Sequence, residues 1–347
     1  MEREIVLKDR RAILLFRQYL TVPSEPKAVI RDLGGLQAQY MKNVYHGLRI
    51  RCSGLSEDWN AGLVKTWTLR GTVHVISEAD LPLFLYRNRN HFLRPVDRLG
   101  DDEFITAARK QRFAEEIVRQ IEAGNGDRER LRDCCRGLGM TEQEEQSVFN
   151  PWGGTLRALA EQGTIAYRAQ ERKEFVRCPD FVPLEREDAL REILRRCLLH
   201  LGPMTIRDLA YFLGKSQREL AALLESLAPA RLAIDGQECL YLGELPANPP
   251  EIPDCLLLAG FDPLMLSYEK TENPFLSPEY LRGVFTMQGI VKAPVLLRGT
   301  VAGRWNRQGR RCLVTCFRSF SPTERAMVTE TAQRLFPELK SVIFEEN

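Results

Sequence analysis

The chain has 347 residues, 44% hydrophobic and 28% charged, the make-up of a folded globular protein of about two to three domains rather than a disordered, collagen-like or low-complexity one. Its 49 basic and 47 acidic residues leave a net charge of +2, so composition by itself argues for no polyanionic partner. No run of about 18 apolar residues exists, which excludes a transmembrane helix, and the charged start Met1-Glu2-Arg3-Glu4 is unlike a secretory signal, so a cytoplasmic, membrane-free protein is expected.

The balance hides two asymmetries. Only ten of the basic residues are Lys and 39 are Arg, the side chain whose planar fork suits phosphate and carboxylate. Residues 1–100 hold 16 basic and 10 acidic residues, and 301–347 hold 8 and 5, whereas 101–150 hold 8 and 12. Nine Cys without a Cys-x-x-Cys pair, and four scattered His, predict reduced structural thiols, no metal site and no cofactor.

Periodicity predicts one supersecondary unit three times. In the first copy a helix over Leu7–Leu20 is broken by Pro23 and Pro26, and a short helix Lys27–Leu33 ends at Gly34-Gly35. Extended segments follow around Gly47–Cys52 and Leu63–Ile76. The second copy has helices over Ala107–Ala123, Asp127–Gly137 and near Trp152–Gln162, then strands Thr164–Ala169 and Glu174–Cys178. In the third, helix Asp188–Leu201 precedes Ile206–Leu213, capped by Thr205 with Asp208, and Gln217–Leu227, capped by Ser216 with Glu219. Strands Ala230–Ile234 and Glu238–Leu242 flank Asp235-Gly236, a hairpin signal. Helix, helix-turn-helix and hairpin make a winged helix. Beyond Asn248-Pro249-Pro250, strands are expected over Cys255–Phe261, Val295–Arg298, Val301–Trp305 and Cys312–Phe317, with a last helix from Ser321 to about Phe336. The fold class is therefore α+β, mainly α. Three tandem winged helices (residues 1–105, 106–184 and 185–247) precede a C-terminal β region with a basic hairpin and terminal helix (248–347).

Three segments carry candidate chemistry. In Leu36-Gln37-Ala38-Gln39-Tyr40 an extended backbone would put Gln37 and Gln39 on one face, and a helical one would turn them about 200° apart. Thr66–Ile76 alternates as a half-buried strand, with Arg70, Thr72 and His74 in its polar row. Arg304-Trp305-Asn306-Arg307-Gln308-Gly309-Arg310-Arg311 holds four Arg, a Trp and no acid, a hairpin tip suited to phosphate contact and stacking.

Together with Phe261-Asp262-Pro263 inside Leu256–Leu266, these segments resemble the winged-helix DNA glycosylases of the AlkZ/YcaQ type. Gln37-Ala38-Gln39 is similar to the glutamine-apolar-glutamine motif of the AlkZ-like branch; the YcaQ-like branch has Asp at the second position. The resemblance implies a monofunctional glycosylase that excises cationic N7-alkylpurines, bulky adducts and crosslinks among them, from double-stranded DNA as a monomer. It implies Gln37 and Gln39 as catalytic, positioning water and contacting the sugar. DNA contacts are then expected from Arg70, Thr72, His74, Arg304, Arg307, Arg310 and Arg311, with Trp305 near the groove or lesion. Two other readings stay open on the residues: a non-enzymatic winged-helix DNA-binding regulator, and a protein–protein scaffold, the latter favoured by the four basic against six acidic residues of 201–250.

Overall fold

Short-range capping accounts for many of the helices in the computed structural model, which describes residues 6–86, 89–93, 96–150 and 153–346. The chain forms two compact units that cut across the four sequence segments. The first comprises Met1–Gln37, Lys42–Glu57 and Leu194–Asn347, the second Ala38–Met41 and Asp58–Ile193. Among the described residues no helix is long and apolar enough to cross a membrane.

In the second unit, helices Ala107–Glu122, Arg128–Gly137, Glu142–Val148 and Thr155–Glu161 follow one another. Thr106 and Asp127 cap the first two, and Thr141 forms a full capping box with Glu144 on the third, a helix not predicted from the sequence. The expected start of the last helix at Trp152 lies outside the described residues. Phe113, Ile117 and Ile121 recur at helical spacing and meet Leu131, Val148, Phe149 and Leu159 in one apolar core.

Sequence periodicity predicts a single strand over 63–76, whereas the protein has a hairpin. Strands Leu63–Trp67 and Val73–Ser77 pair antiparallel across the turn Leu69–Gly71. Thr72 N–H donates to Leu69 O at 3.1 Å, and Arg70 and Gly71 take φ of 56° and 68°. Two positive φ values in succession give the tight turn whose twist matches paired strands. Leu63–Trp67 also pairs with Ile165–Arg168, which pairs with Phe175–Arg177, so the hairpin found in the first copy and the strands predicted for the second share one antiparallel sheet.

In the first unit, helices Leu7–Arg17 and Pro26–Asp32 are followed by Met41–Arg49, where an extended segment was expected to begin at Gly47. The third copy matches its sequence signals element by element. Thr205 and Asp208 form a capping box on Ile206–Leu213, Ser216 caps Gln217–Leu227, and Ala230–Ile234 pairs with Gln237–Tyr241. Leu7–Arg17 is tied to this copy. The Arg17 guanidinium donates to the carbonyls of Leu198, Gly202, Leu242 and Glu244 at 2.8–3.1 Å, and Arg10 pairs with Asp208 at 3.5 Å.

Strands Cys255–Leu257, Pro294–Leu297, Thr300–Gln308 and Arg311–Cys316 run antiparallel in that order. Ser341–Glu346, absent from the sequence reading, joins the last of them in parallel. Helix Pro322–Leu335, with a capping box at Ser321 and Glu324, packs Val328 and Ala332 on Cys255, Leu257 and Val314.

Candidate active site and nucleic-acid interface

Gly34 and Gly35, at φ of 70° and 96°, release the chain from helix Pro26–Asp32 into the strand Leu36–Gln37. Ala38 N–H then donates to Val73 O at 2.7 Å, and Gln39 sits in a bend. The stretch is not helical, and its strand ends at Gln37. Gln37 is only 7% exposed, while Gln39 is exposed. Gln37 closes a segment of the first unit and Gln39 belongs to the second.

The polar row around Arg70 bends away from a common face because the strand is a hairpin. Arg70 occupies the turn and is half-buried. Thr72 is half-buried too, and its hydroxyl donates to Leu69 O at 3.1 Å. His74 is buried, with Nδ1 2.8 Å from Thr68 Oγ1. Burial, with a smaller contribution from the Arg70 charge, pushes its pKa down to about 3. A neutral, enclosed imidazole secures the hairpin and has no surface to offer a phosphate.

The first unit holds a cavity of about 590 Å³ lined by Lys42, Asn43, His46 and Arg49 from helix Met41–Arg49, with Trp305 and Phe336 opposite. Positions 42, 43, 46 and 49 fall on one helical face. His46 lies 4.8 Å from the Trp305 ring and 5.7 Å from Phe336, stacked on the latter. Its Nε2 donates to Leu257 O at 2.6 Å, since a carbonyl only accepts, and Nδ1 meets no donor among the described residues. Burial lowers the His46 pKa to about 4 and keeps the ring neutral.

The Phe261-Asp262-Pro263 motif clamps this helix in place. Asp262 caps Pro263–Leu266 and takes both guanidinium nitrogens of Arg51, at 3.0 and 2.7 Å, with both side chains fully buried. A Cβ on Gly260 would stand 3.1 Å from Asn43 Nδ2, and one on Gly47 would stand 3.9 Å from Leu36 Cδ1 and 3.8 Å from Ala259 Cβ. The residue before Gln37, the cavity helix and the segment after Cys255 are therefore packed directly together.

The basic segment is mostly strand rather than tip. Gln308 pairs with Arg311, so the turn is Gly309-Arg310, and Arg304 and Trp305 face Thr315 and Val314 in mid-ladder. Arg304 donates to Gly283 O at 3.2 Å, Trp305 Nε1 to Leu258 O at 2.8 Å, and Arg310 Nε to Glu338 O at 2.8 Å. Arg307 pairs with Glu338 at 2.6 Å and lies over Phe336, 4.8 Å from the ring centroid. Arg311 is exposed. The structure thus brings Trp305 and Arg307 to the cavity, together with Lys42, Asn43, His46 and Arg49, which the sequence reading did not single out. The 42/43/46/49 spacing was the available signal, hidden because Gly47 suggested a break.

Residues 30–337 match the family described as DNA glycosylase AlkZ-like. An interstrand DNA cross-link repair glycosylase of Streptomyces sahachiroi is 23% identical over 343 residues, covering 90% of each chain. The solved structure of Streptomyces sahachiroi DNA glycosylase AlkZ shares the fold, with a TM-score of 0.78 at 21% identity over 99% of this chain and 100% of that one. With the glutamine stretch, the Arg70 hairpin and the basic strand all inside the matched span, the chain belongs to the AlkZ-like DNA glycosylase family.

Proposed function

We propose that the protein hydrolyses the N-glycosidic bond of cationic N7-alkylpurines in double-stranded DNA, bulky adducts and interstrand crosslinks included, and acts as a monomer. The observation that carries this reading is the carboxamide pair of the Gln37-Ala38-Gln39 segment, one side chain buried and the other exposed, in a chain of this family. The name of the Streptomyces sahachiroi relative supports crosslinks as substrates.

An N7-alkylpurine already bears positive charge and departs without protonation, leaving an oxocarbenium-like sugar, so no strong general acid is required. A carboxamide does not titrate near neutral pH and cannot serve as a conventional base. It can hold a water beneath C1′ and turn its carbonyl dipole toward the developing charge. Gln37 and Gln39 have these roles. Phosphates are met by Arg70, Thr72, Arg304, Arg307, Arg310 and Arg311, and Trp305 lies near the lesion. Uncharged normal bases are spared because their bonds need a general acid, a role the carboxamides cannot fill.

Release of N7-methylguanine from a labelled duplex tests the assignment. Gln37→Ala and Gln39→Ala should each lower single-turnover release by about 10²-fold, in line with loss of one preorganised polar group. Release equal to wild type in both variants removes the pair from the mechanism.

A further inference from the structure

The cavity of the first unit has a composition that the hydrolytic reading draws on only through Trp305 and Arg307. One wall is aromatic, with Trp305 and Phe336 around the neutral His46 ring, and Tyr45 adds a further ring to the lining. The rim is cationic. Arg49 and Arg307 approach the same Phe336 ring at 5.5 and 4.8 Å, and Lys42 stands exposed on the helix that carries Arg49. Against these three cations, the acid paired here is Glu338, on Arg307. Two like charges drawn to one ring with one carboxylate between them leave room for a further anion. The volume, about 590 Å³, falls in the range of small-ligand sites.

Aromatic faces beside two guanidinium groups that share one carboxylate, and an exposed ammonium group, suit one kind of ligand well, a heteroaromatic ring carrying a phosphate. A metal ion would find cations on the rim, and an acidic peptide would leave the aromatic wall unused. We propose that this cavity binds a single nucleotide, its base against Tyr45 and Trp305 and its phosphate between Lys42, Arg49 and Arg307. The inference rests on the glycosylase reading only for the source of that nucleotide, which is either an extrahelical residue of the DNA substrate or a free nucleotide.

Isothermal titration of the full chain with dGMP, deoxyguanosine and inorganic phosphate separates the elements of the site. dGMP should bind at least tenfold more tightly than either fragment. Lys42→Ala, Arg49→Ala and Tyr45→Leu should each weaken it fivefold or more, with melting temperatures checked for each; Lys42, being exposed, keeps the test valid if another variant unfolds. dGMP binding no tighter than phosphate, or unchanged in Lys42→Ala and Tyr45→Leu, overturns the proposal. A duplex with 2-aminopurine beside N7-methylguanine identifies the source. Brightening with wild type and not with Lys42→Ala assigns a nucleotide of the DNA, and a dark duplex with dGMP binding intact assigns a free one. Gln37→Ala should bind dGMP as wild type does. Loss of dGMP binding with normal base release would sink the cavity alone, and the converse would sink the hydrolytic reading alone.

Discussion

The two units solve the same packing problem with different chemistry. The second is built on a contiguous apolar core, Phe113, Ile117, Leu131, Val148 and Phe149, contributed by helices adjacent in sequence. Several of its ion pairs are local and solvent-exposed, such as Arg119–Glu116 and Arg136–Asp133 three residues apart. In the first unit, segments about 200 residues apart are joined by buried arginines. Arg51 holds Asp262, Arg10 holds Asp208, and Arg17 holds four carbonyls. A buried guanidinium must be fully paired to be tolerated, so each such contact specifies its partner and geometry. An apolar core specifies volume and pattern and tolerates more exchange. Arg51, two residues beyond the cavity helix Met41–Arg49, donates to Gly47 O within it at 3.1 Å as well as to Asp262, so a contact of the first kind ties the helix down, which suits a surface that must keep polar groups at set positions.

That contrast can be broken most forcefully at Asp262. Asp262→Ala leaves the Arg51 charge buried and alone and should destabilise the protein by about 3–5 kcal/mol in denaturant melts. Adding Arg51→Met should recover much of the loss. If the double variant is as unstable as the single, packing rather than charge pairing governs this contact.

Acid provides the next largest test, because each unit contains a buried neutral imidazole. His46 and His74 have folded pKa values of about 4 and about 3, below the ordinary 6.5 of an unfolded histidine. The unfolded chain binds the extra proton first, so stability from each is complete above pH 6.5. It declines as pH falls through that value and is lost at the folded values, about 3 kcal/mol for His46 and about 5 kcal/mol for His74. His46→Gln and His74→Gln should each flatten the pH dependence of stability between pH 4 and pH 6.5, and an unchanged slope would refute the burial argument for that residue.

Smaller effects are expected from local features of the second unit. Thr141→Ala removes a capping-box hydroxyl and should cost about 1 kcal/mol. Glu116→Gln breaks an exposed i,i+3 pair and should change stability by less than about 0.5 kcal/mol in low salt. A loss of several kcal/mol at Glu116 would erase the distinction between the units.

Legibility in the sequence follows the same division. Thr205-x-x-Asp208, Ser216-x-x-Glu219 and Asp235-Gly236 are short-range devices, and each element they announce is present where the spacing places it. The hairpin at Arg70 was misread because both of its arms alternate with period two, as one long strand would; only the positive φ values at Arg70 and Gly71 reverse the chain. Helix Met41–Arg49 was missed because Gly47, a helix breaker by propensity, lies inside it, where the helix packs closely on Ala259 and Leu36.

By itself the sequence determined the capped helices, the local hairpins, the glutamine pair and the asymmetry of charge, because these depend on residues a few positions apart. Only the tertiary structure decided that Leu7–Arg17 packs with the third copy, that two hairpins share a sheet, and that Phe261-Asp262-Pro263 is a clamp for the cavity helix. It also decided that the basic segment is ladder rather than tip, with Arg307 beside Phe336 and Lys42 on the rim of the same cavity. Such contacts rest on complementary charge and shape between distant segments, and no periodicity in the chain encodes which segment will arrive.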